Sequence, residues 1–137
     1  MFSSELEFKP ENKIKMNKLI IDVANEKIFL MIIINNDFYN ITHDNTKINY
    51  EKLTMIINNF LSTKSLKIED IGKIYINKGP GSFAGIRNSL SIIKAFNIAK
   101  KIDYYCYSFE DFKDEKNLSY ENIPNSVSYT HLRAHET

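Results

Sequence analysis

The sequence predicts an α/β domain with a mixed sheet: an antiparallel meander of strands first, then helices and strands in alternation. Three observations carry this. Before residue 43, three apolar segments follow one another with connections of only a few residues, which suits antiparallel neighbours. After it, short apolar runs alternate with longer stretches of helical period, which suits crossover connections. A glycine-rich turn, Gly79-Pro80-Gly81-Ser82-Phe83-Ala84-Gly85-Ile86-Arg87, joins a strand pattern to the longest helical pattern in the chain.

In order, residues 1–15 are polar and without period, and are expected to be a flexible extension. Met16 stands directly before the first strand pattern and is a candidate true start. Residues 18–23 read as strand, with a turn at Asn25-Glu26. Residues 28–34 read as a second strand, whose unbroken apolar character predicts burial on both faces. Asn35-Asn36-Asp37 supplies a hairpin turn, and 38–42 returns as a third strand. A helix is expected from Asn49 or Tyr50 to Thr63. Leu53, Ile56, Ile57, Phe60 and Leu61 fall at i, i+3, i+4, i+7 and i+8, one apolar face that core packing explains. Residues 65–71 connect, and 73–78 form the strand before the glycine turn.

The helix 84–101 is different. Ile86, Leu90, Ile92, Ile93, Ala95, Phe96 and Ala99 spread over more than one stripe, more than a single sheet contact needs. Arg87, Lys94 and Lys101 line its polar side. The wide arc predicts a second contact, with another helix or with a partner. Residues 104–107 form the last strand, and Ser108 with Asp111 makes a capping box for a short helix. Residues 113–126 are polar and read as linker, or as the truncated start of a second lobe. The tail 127–137 has no Ile, Lys or Asn, yet holds two of the three histidines and one of the two arginines. It resembles translated sequencing-adapter sequence and is set apart from the fold.

At 137 residues the chain is one domain with one modest core. A net charge of +1 points to neither nucleic acid nor membrane. The run 28–34 is far too short to span a bilayer. Glu5, Glu7 and Lys9 interrupt any signal-peptide core. Cys106 is the only cysteine, which excludes a disulfide framework and fits a small buried hydrophobe. A cytoplasmic protein is expected.

The glycine turn has the physics of a close-approach site. Gly79 and Gly81 lack a Cβ, so backbone or ligand can come near. Pro80 fixes φ, and amides at a helix start attract acceptors. It nevertheless misses the known fingerprints. The third glycine of G-x-G-x-x-G comes one residue late. No lysine follows Gly85 as a P-loop requires, and Ser82 is not framed as in a nucleophile elbow. By pattern, a structural turn outweighs a phosphate cradle. His131 and His135 stand i, i+4 in the tail without further ligands, so no metal site is expected. His43 reads as a surface residue. No paired carboxylates, Cys/His pair or Ser/His/Asp set is visible, so no catalytic residue is expected.

Taken together, Lys78 to Arg87 followed by Ser89 to Ala99 resembles the signature segment of the TsaB family. Its members are bacterial proteins needed to make threonylcarbamoyladenosine beside the tRNA anticodon. Leu19-Ile20-Ile21-Asp22-Val23-Ala24 resembles the family's opening strand, with Val23 departing from it. Residues 105–112 resemble the strand and helix start after the signature helix. The resemblance runs from about Met16 to Phe112 and implies the first lobe, 16–112, of an actin-like ATPase (ribonuclease H-like) fold. In such folds an acid at the position of Asp22 faces nucleotide phosphates or metal; a turn-forming Asp at a strand end is the alternative. Candidate phosphate-loop residues are then Asp22, Ala24, Gly79, Gly81 and Ser82.

TsaB also resembles its catalytic paralogue, TsaD, which carries a His-x-x-x-His metal motif after the strand that follows the signature helix. Ser108 and Phe112 hold that place here; a phenyl ring donates no lone pair and serine is a poor ligand. The resemblance therefore implies a non-catalytic scaffold or activating subunit. It would dimerise with TsaD, or with a second copy, through the helices 50–63 and 84–101, in a complex with the ATPase TsaE. It would reach tRNA only indirectly and bind no cofactor alone, ATP and a divalent metal belonging to the complex. Interface residues implied are Leu53, Ile57, Ile86, Leu90 and Ile93, with Arg87 and Lys94 on the rim. The alternatives are an ATP-dependent small-molecule kinase of the actin-like fold, or an isolated binding module. Against a kinase, the loop Asp22-Val23-Ala24-Asn25 lacks a glycine, and the second lobe is absent from a chain roughly half the family's length.

Overall fold

A computed structural model describes residues 15–112 and 119–127. The extension 1–14, residues 113–118 and the tail 128–137, with His131 and His135, lie outside the described residues. Strands β1 (Asn17–Asp22), β2 (Lys27–Ile34) and β3 (Asp37–Asp44) come first. Helices α1 (Lys47–Glu51) and α2 (Leu53–Ser62) follow, then β4 (Ile71–Asn77), α3 (Phe83–Lys100) and β5 (Asp103–Tyr107). A short helix α4 (Ile123–Ser126) ends the described chain.

The sheet order is β3-β2-β1-β4-β5. β1, β2 and β3 pair antiparallel, and β4 joins β1 and β5 in parallel. The mixed α/β architecture read from the sequence is the one observed. The helix expected from about residue 50 begins earlier, because the Thr46 hydroxyl caps it by accepting from the Asn49 amide. It breaks at Lys52 into α1 and α2.

Alternation along the central strands divides the apolar side chains between two faces. Leu19, Ile21, Leu30, Ile32, Ile74 and Ile76 point to the side covered by α2 and α3, where Leu53, Ile57, Phe60, Leu61 and Ile93 meet them. Ile20, Met31, Tyr75, Tyr105 and Tyr107 point the other way, against Phe112, Ile123 and Val127. Here the structure differs from the sequence reading. Residues 119–127, taken as linker and start of the tail, fold back onto the second face, with Ile123 fully buried. Two apolar anchors four residues apart, Ile123 and Val127, are enough to dock a single helical turn, but too few to stand out among polar neighbours. Among the described residues, no helix is long and apolar enough to cross a membrane.

Candidate functional site

The glycine turn sits where β4 ends, against the end of β1. Asn77 is buried, and its Oδ1 accepts from the Gly79 amide at 2.8 Å. Gly79 has φ 107°, a conformation only glycine adopts freely. The Lys78 amide donates to the Tyr107 carbonyl at 2.8 Å, and the Ser82 amide donates to the Ala24 carbonyl at 2.8 Å. The turn is thus tied to both neighbouring strands. A Cβ on Gly81 would lie 2.1 Å from the Ala24 oxygen, and one on Gly85 2.7 Å from the Val23 oxygen. What approaches these glycines is the backbone of residues 23–24. Ser82 caps α3, its Oγ accepting from the Gly85 amide at 3.3 Å.

Asp22, the strand-end acid, is fully buried. Its Oδ1 accepts from the Ala24 amide at 2.9 Å. Its Oδ2 accepts from Asn25 Nδ2 at 3.1 Å and from the Tyr120 hydroxyl at 2.6 Å. Tyr120 is held in turn by Phe29, stacked at 3.8 Å between ring centroids, and by the edge of Phe109 at 5.3 Å. Burial, and then the hydrogen bond to Asp22, push the Tyr120 hydroxyl far above its ordinary pKa. Tyr107 is raised as well, by burial first and by Asp22 second.

An open cleft of about 760 Å³ adjoins this corner, lined among others by Ala24, Asn25, Lys27, Phe29, Ser82 and Tyr120. Of the five phosphate-loop candidates, only Ala24 and Ser82 reach it; Asp22, Gly79 and Gly81 do not line it. The Lys27 ammonium is paired with Asp44 at 2.5 Å, which lowers the Asp44 carboxyl and raises the lysine. The acid that would face a phosphate-bound metal has both oxygens engaged, and the glycine space is filled by Ala24. Among the described residues, no group of three His, Cys, Asp or Glu side chains could hold a metal ion.

The implied ligand positions are committed elsewhere. Ser108 is buried, and its Oγ accepts from the Glu110 amide at 3.2 Å. Phe112 packs in the second core cluster. The capping box is half made: Asp111 turns instead toward Lys78, 4.0 Å away. Burial pushes the Cys106 thiol up, so it is not a poised nucleophile.

The implied interface needs correction. Leu53, Ile57, Ile86 and Ile93 are buried in this chain, and Leu90 is half-buried; only Arg87 and Lys94 are exposed. The spacing Ile86, Leu90, Ile93 does pick out one face of α3, but it is the face toward the sheet. Gly85 and Ser89 are buried on the same side, and Gly85 lets the helix start lie close to Val23, just past β1. That pattern of small residues was the available signal. The outward stripe is Phe83 (71% exposed), Arg87, Ser91, Lys94 and Ile98 (79% exposed). Arg87 lies over the Phe83 ring at 5.1 Å. Ile48 and Met55 on the neighbouring helices are also exposed. Sequence reasoning missed Tyr120 and Phe29 as partners of the Asp22 corner; no local motif marks a contact 98 residues away.

The fold matches solved structures. YeaZ from Pseudomonas aeruginosa superposes with a TM-score of 0.62 at 15% identity, over 67% of this chain and 43% of that one. An uncharacterized protein with similarity to peptidase YEAZ from Pseudomonas aeruginosa gives 0.63 at 14% identity, over 73% and 49%. YeaZ is TsaB. The chain has a TsaB-like fold. RuvC from T. thermophilus, in complex with Holliday junction substrate, gives 0.51 at 9% identity, over 72% and 68%. The chain shares the ribonuclease H-like, actin-like fold class of these neighbours. The chain spans less than half the length of the two YeaZ-type structures. Comparison with protein-family models and with curated proteins finds no match.

Proposed function

We propose that this chain is a TsaB-type, non-catalytic subunit in threonylcarbamoyladenosine synthesis on tRNA. One observation supports this above the rest. The glycine turn of this TsaB-like fold locks β4 and α3 against the end of β1, and Ser108 and Phe112, which the sequence resemblance aligns with the metal histidines of the catalytic paralogue, are buried. Such a chain acts through its surface. The partner is a TsaD-type paralogue, met on the outward stripe of α3 with the exposed apolar residues of α1 and α2. A groove of about 360 Å³ between Tyr50, Glu51, Phe83 and Arg87 gives that stripe a recess for a partner side chain. TsaE, ATP and a divalent metal enter at the level of the complex, tRNA is engaged through it, and the work is done in the cytoplasm.

The test is a titration with purified TsaD, alongside rescue of threonylcarbamoyladenosine in cells depleted of TsaB, read by nucleoside mass spectrometry. Phe83→Asp should weaken TsaD binding at least roughly tenfold while the fold survives, since a central aromatic anchor is worth about 2 kcal/mol or more. No binding by the unaltered chain, with no rescue, would remove the proposal. A kinase reading has less support, because the acid it needs is sealed.

A further inference from the structure

The opposite end of the sheet carries an arrangement that the function above does not use. Lys18 and Lys73 are direct register partners on the adjacent parallel strands β1 and β4. Alternation puts both on one face, the face of Ile20 and Tyr75. Like charges placed side by side on a sheet repel. Among the described residues, no carboxylate is within ion-pair distance of either. Asp103 is the register neighbour of Lys73 on its far side, but forms no ion pair with it. The Lys73 ammonium lies instead over the Tyr105 ring, 5.8 Å from its centre.

A third lysine is brought in by the backbone. Gly72 is the extra residue in an irregularity between the pairs Asn17–Ile71 and Lys18–Lys73. A Cβ on Gly72 would lie 2.2 Å from the Lys15 carbonyl oxygen. The glycine therefore lets the chain ahead of β1 run hard against β4. That course is pinned by the Asn17 amide group donating to the Asp70 carbonyl at 3.1 Å, and by Lys15 Nζ donating to the Glu69 carbonyl. Lys15, Met16, Lys18 and Lys73 line a recess of about 110 Å³, the room of three or four waters.

We propose that Lys15, Lys18 and Lys73 form a phosphate-binding recess at the end of the sheet where β1 and β4 begin. Three lysine side chains line a space of that size, and moving Lys15 Nζ off the Glu69 carbonyl and Lys73 Nζ off the Tyr105 ring would let their ammonium groups meet one tetrahedral dianion, which relieves the repulsion the strands impose. A free phosphate and a backbone phosphate of RNA offer the same oxygens. The inference does not rest on the proposed function, and a chain that fails to bind TsaD or rescue tRNA modification leaves it standing.

The experiment uses the full chain, with inorganic phosphate followed by calorimetry and a 17-nucleotide RNA hairpin followed by fluorescence anisotropy across salt concentrations. Lys18→Gln/Lys73→Gln is compared with Lys47→Gln/Lys52→Gln on the helical side. The first variant should lose phosphate binding at least tenfold. If the source is RNA, it should also lower the slope of log K against log salt by roughly 1.4, about 0.7 for each lysine removed. The second variant should change neither. Lys18→Gln alone should melt no lower than the unaltered chain, because it removes a repulsion and leaves the Lys73 contact with Tyr105 in place. Phosphate binding without hairpin binding assigns the recess to a free phosphate. Equal binding by both double variants, binding of neither probe, or a lower melting temperature for Lys18→Gln would overturn the proposal.

Discussion

Replacing Tyr120 by Phe isolates one hydrogen bond and nothing else. The ring, its stack on Phe29 and its edge contact with Phe109 are kept. What disappears is the hydroxyl donating to Asp22 Oδ2 at 2.6 Å, within the range of a charge-assisted bond to a carboxylate. Asp22 is fully buried and has three donors in all, so the change leaves two to hold the carboxylate in a site without water access. A bond to a charged group is worth about 1.5–3 kcal/mol net. For a domain of this size, that is a fall in melting temperature of roughly 5–10 °C. The assay is thermal and urea unfolding of the full chain, with Asp22→Asn and the double variant completing a cycle. A coupling of about 1 kcal/mol or more between the two sites is expected. If Tyr120→Phe melts within about 2 °C of the unaltered chain and the cycle is additive, residues 119–127 do not seal the corner, and the argument from the buried acid fails.

Gly81→Ala drives a methyl group into the Ala24 carbonyl at 2.1 Å, a backbone atom that cannot step aside, and should cost about 3 kcal/mol; unchanged urea unfolding would refute the packing role of the glycine. Ile93→Ala should destabilise by about 2–5 kcal/mol because the side chain is fully buried, whereas Phe83→Ala should stay within about 0.5 kcal/mol. The reverse order, read by the same unfolding curves, would restore the outward placement of Ile93. Burial raises both Tyr75 and Tyr104 to about 12. Their folded-state values lie above the unfolded value near 10, so this stability is complete below pH 10 and is lost as pH rises through about 12. Tyrosinate absorbance should rise together with loss of circular dichroism over that window, and a full tyrosine titration centred at pH 10 in a folded chain would contradict it.

The strands and the turn were legible because local pattern decided them. The unbroken run 28–34 lies inside the sheet between β3 and β1, and its continuous apolar character reported burial on both faces. The glycines at 79 and 81 reported close approach, and close approach is what they permit. Two things were not legible. The stripe of α3 facing the sheet could not be chosen from apolar spacing, since Ile86, Leu90, Ile92, Ile93 and Phe96 cover a wide arc, and half-buried positions flank the buried ones on both sides. The partner of Asp22 is 98 residues along the chain, in a segment whose composition reads as polar linker. In each case tertiary contact, rather than period or propensity, made the choice.

The corner at the end of β1 shows why the same residues suggest phosphate binding in sequence and structural joinery in space. Both uses need glycines, a helix start and an acid at a strand end. They differ in where the hydrogen-bonding groups are directed. Here the Ser82 amide donates to Ala24, the Ser82 hydroxyl accepts from Gly85, and the Asp22 oxygens accept from Ala24, Asn25 and Tyr120. The Ser82 amide proton, already given to the Ala24 carbonyl at 2.8 Å, would have to be released before it could meet a phosphate, and the Asp22 oxygens already accept three hydrogen bonds. Locking the turn has another consequence. Phe83 is the residue directly after the capping serine, and Arg87 lies one helical turn on, so the bond from Ser82 to Ala24 sets the direction in which both leave the domain. On this reasoning the glycine signature positions an outward surface rather than an inward pocket, and a variant that loosens the turn without unfolding the chain should weaken partner binding at Phe83, some distance from the substituted atom.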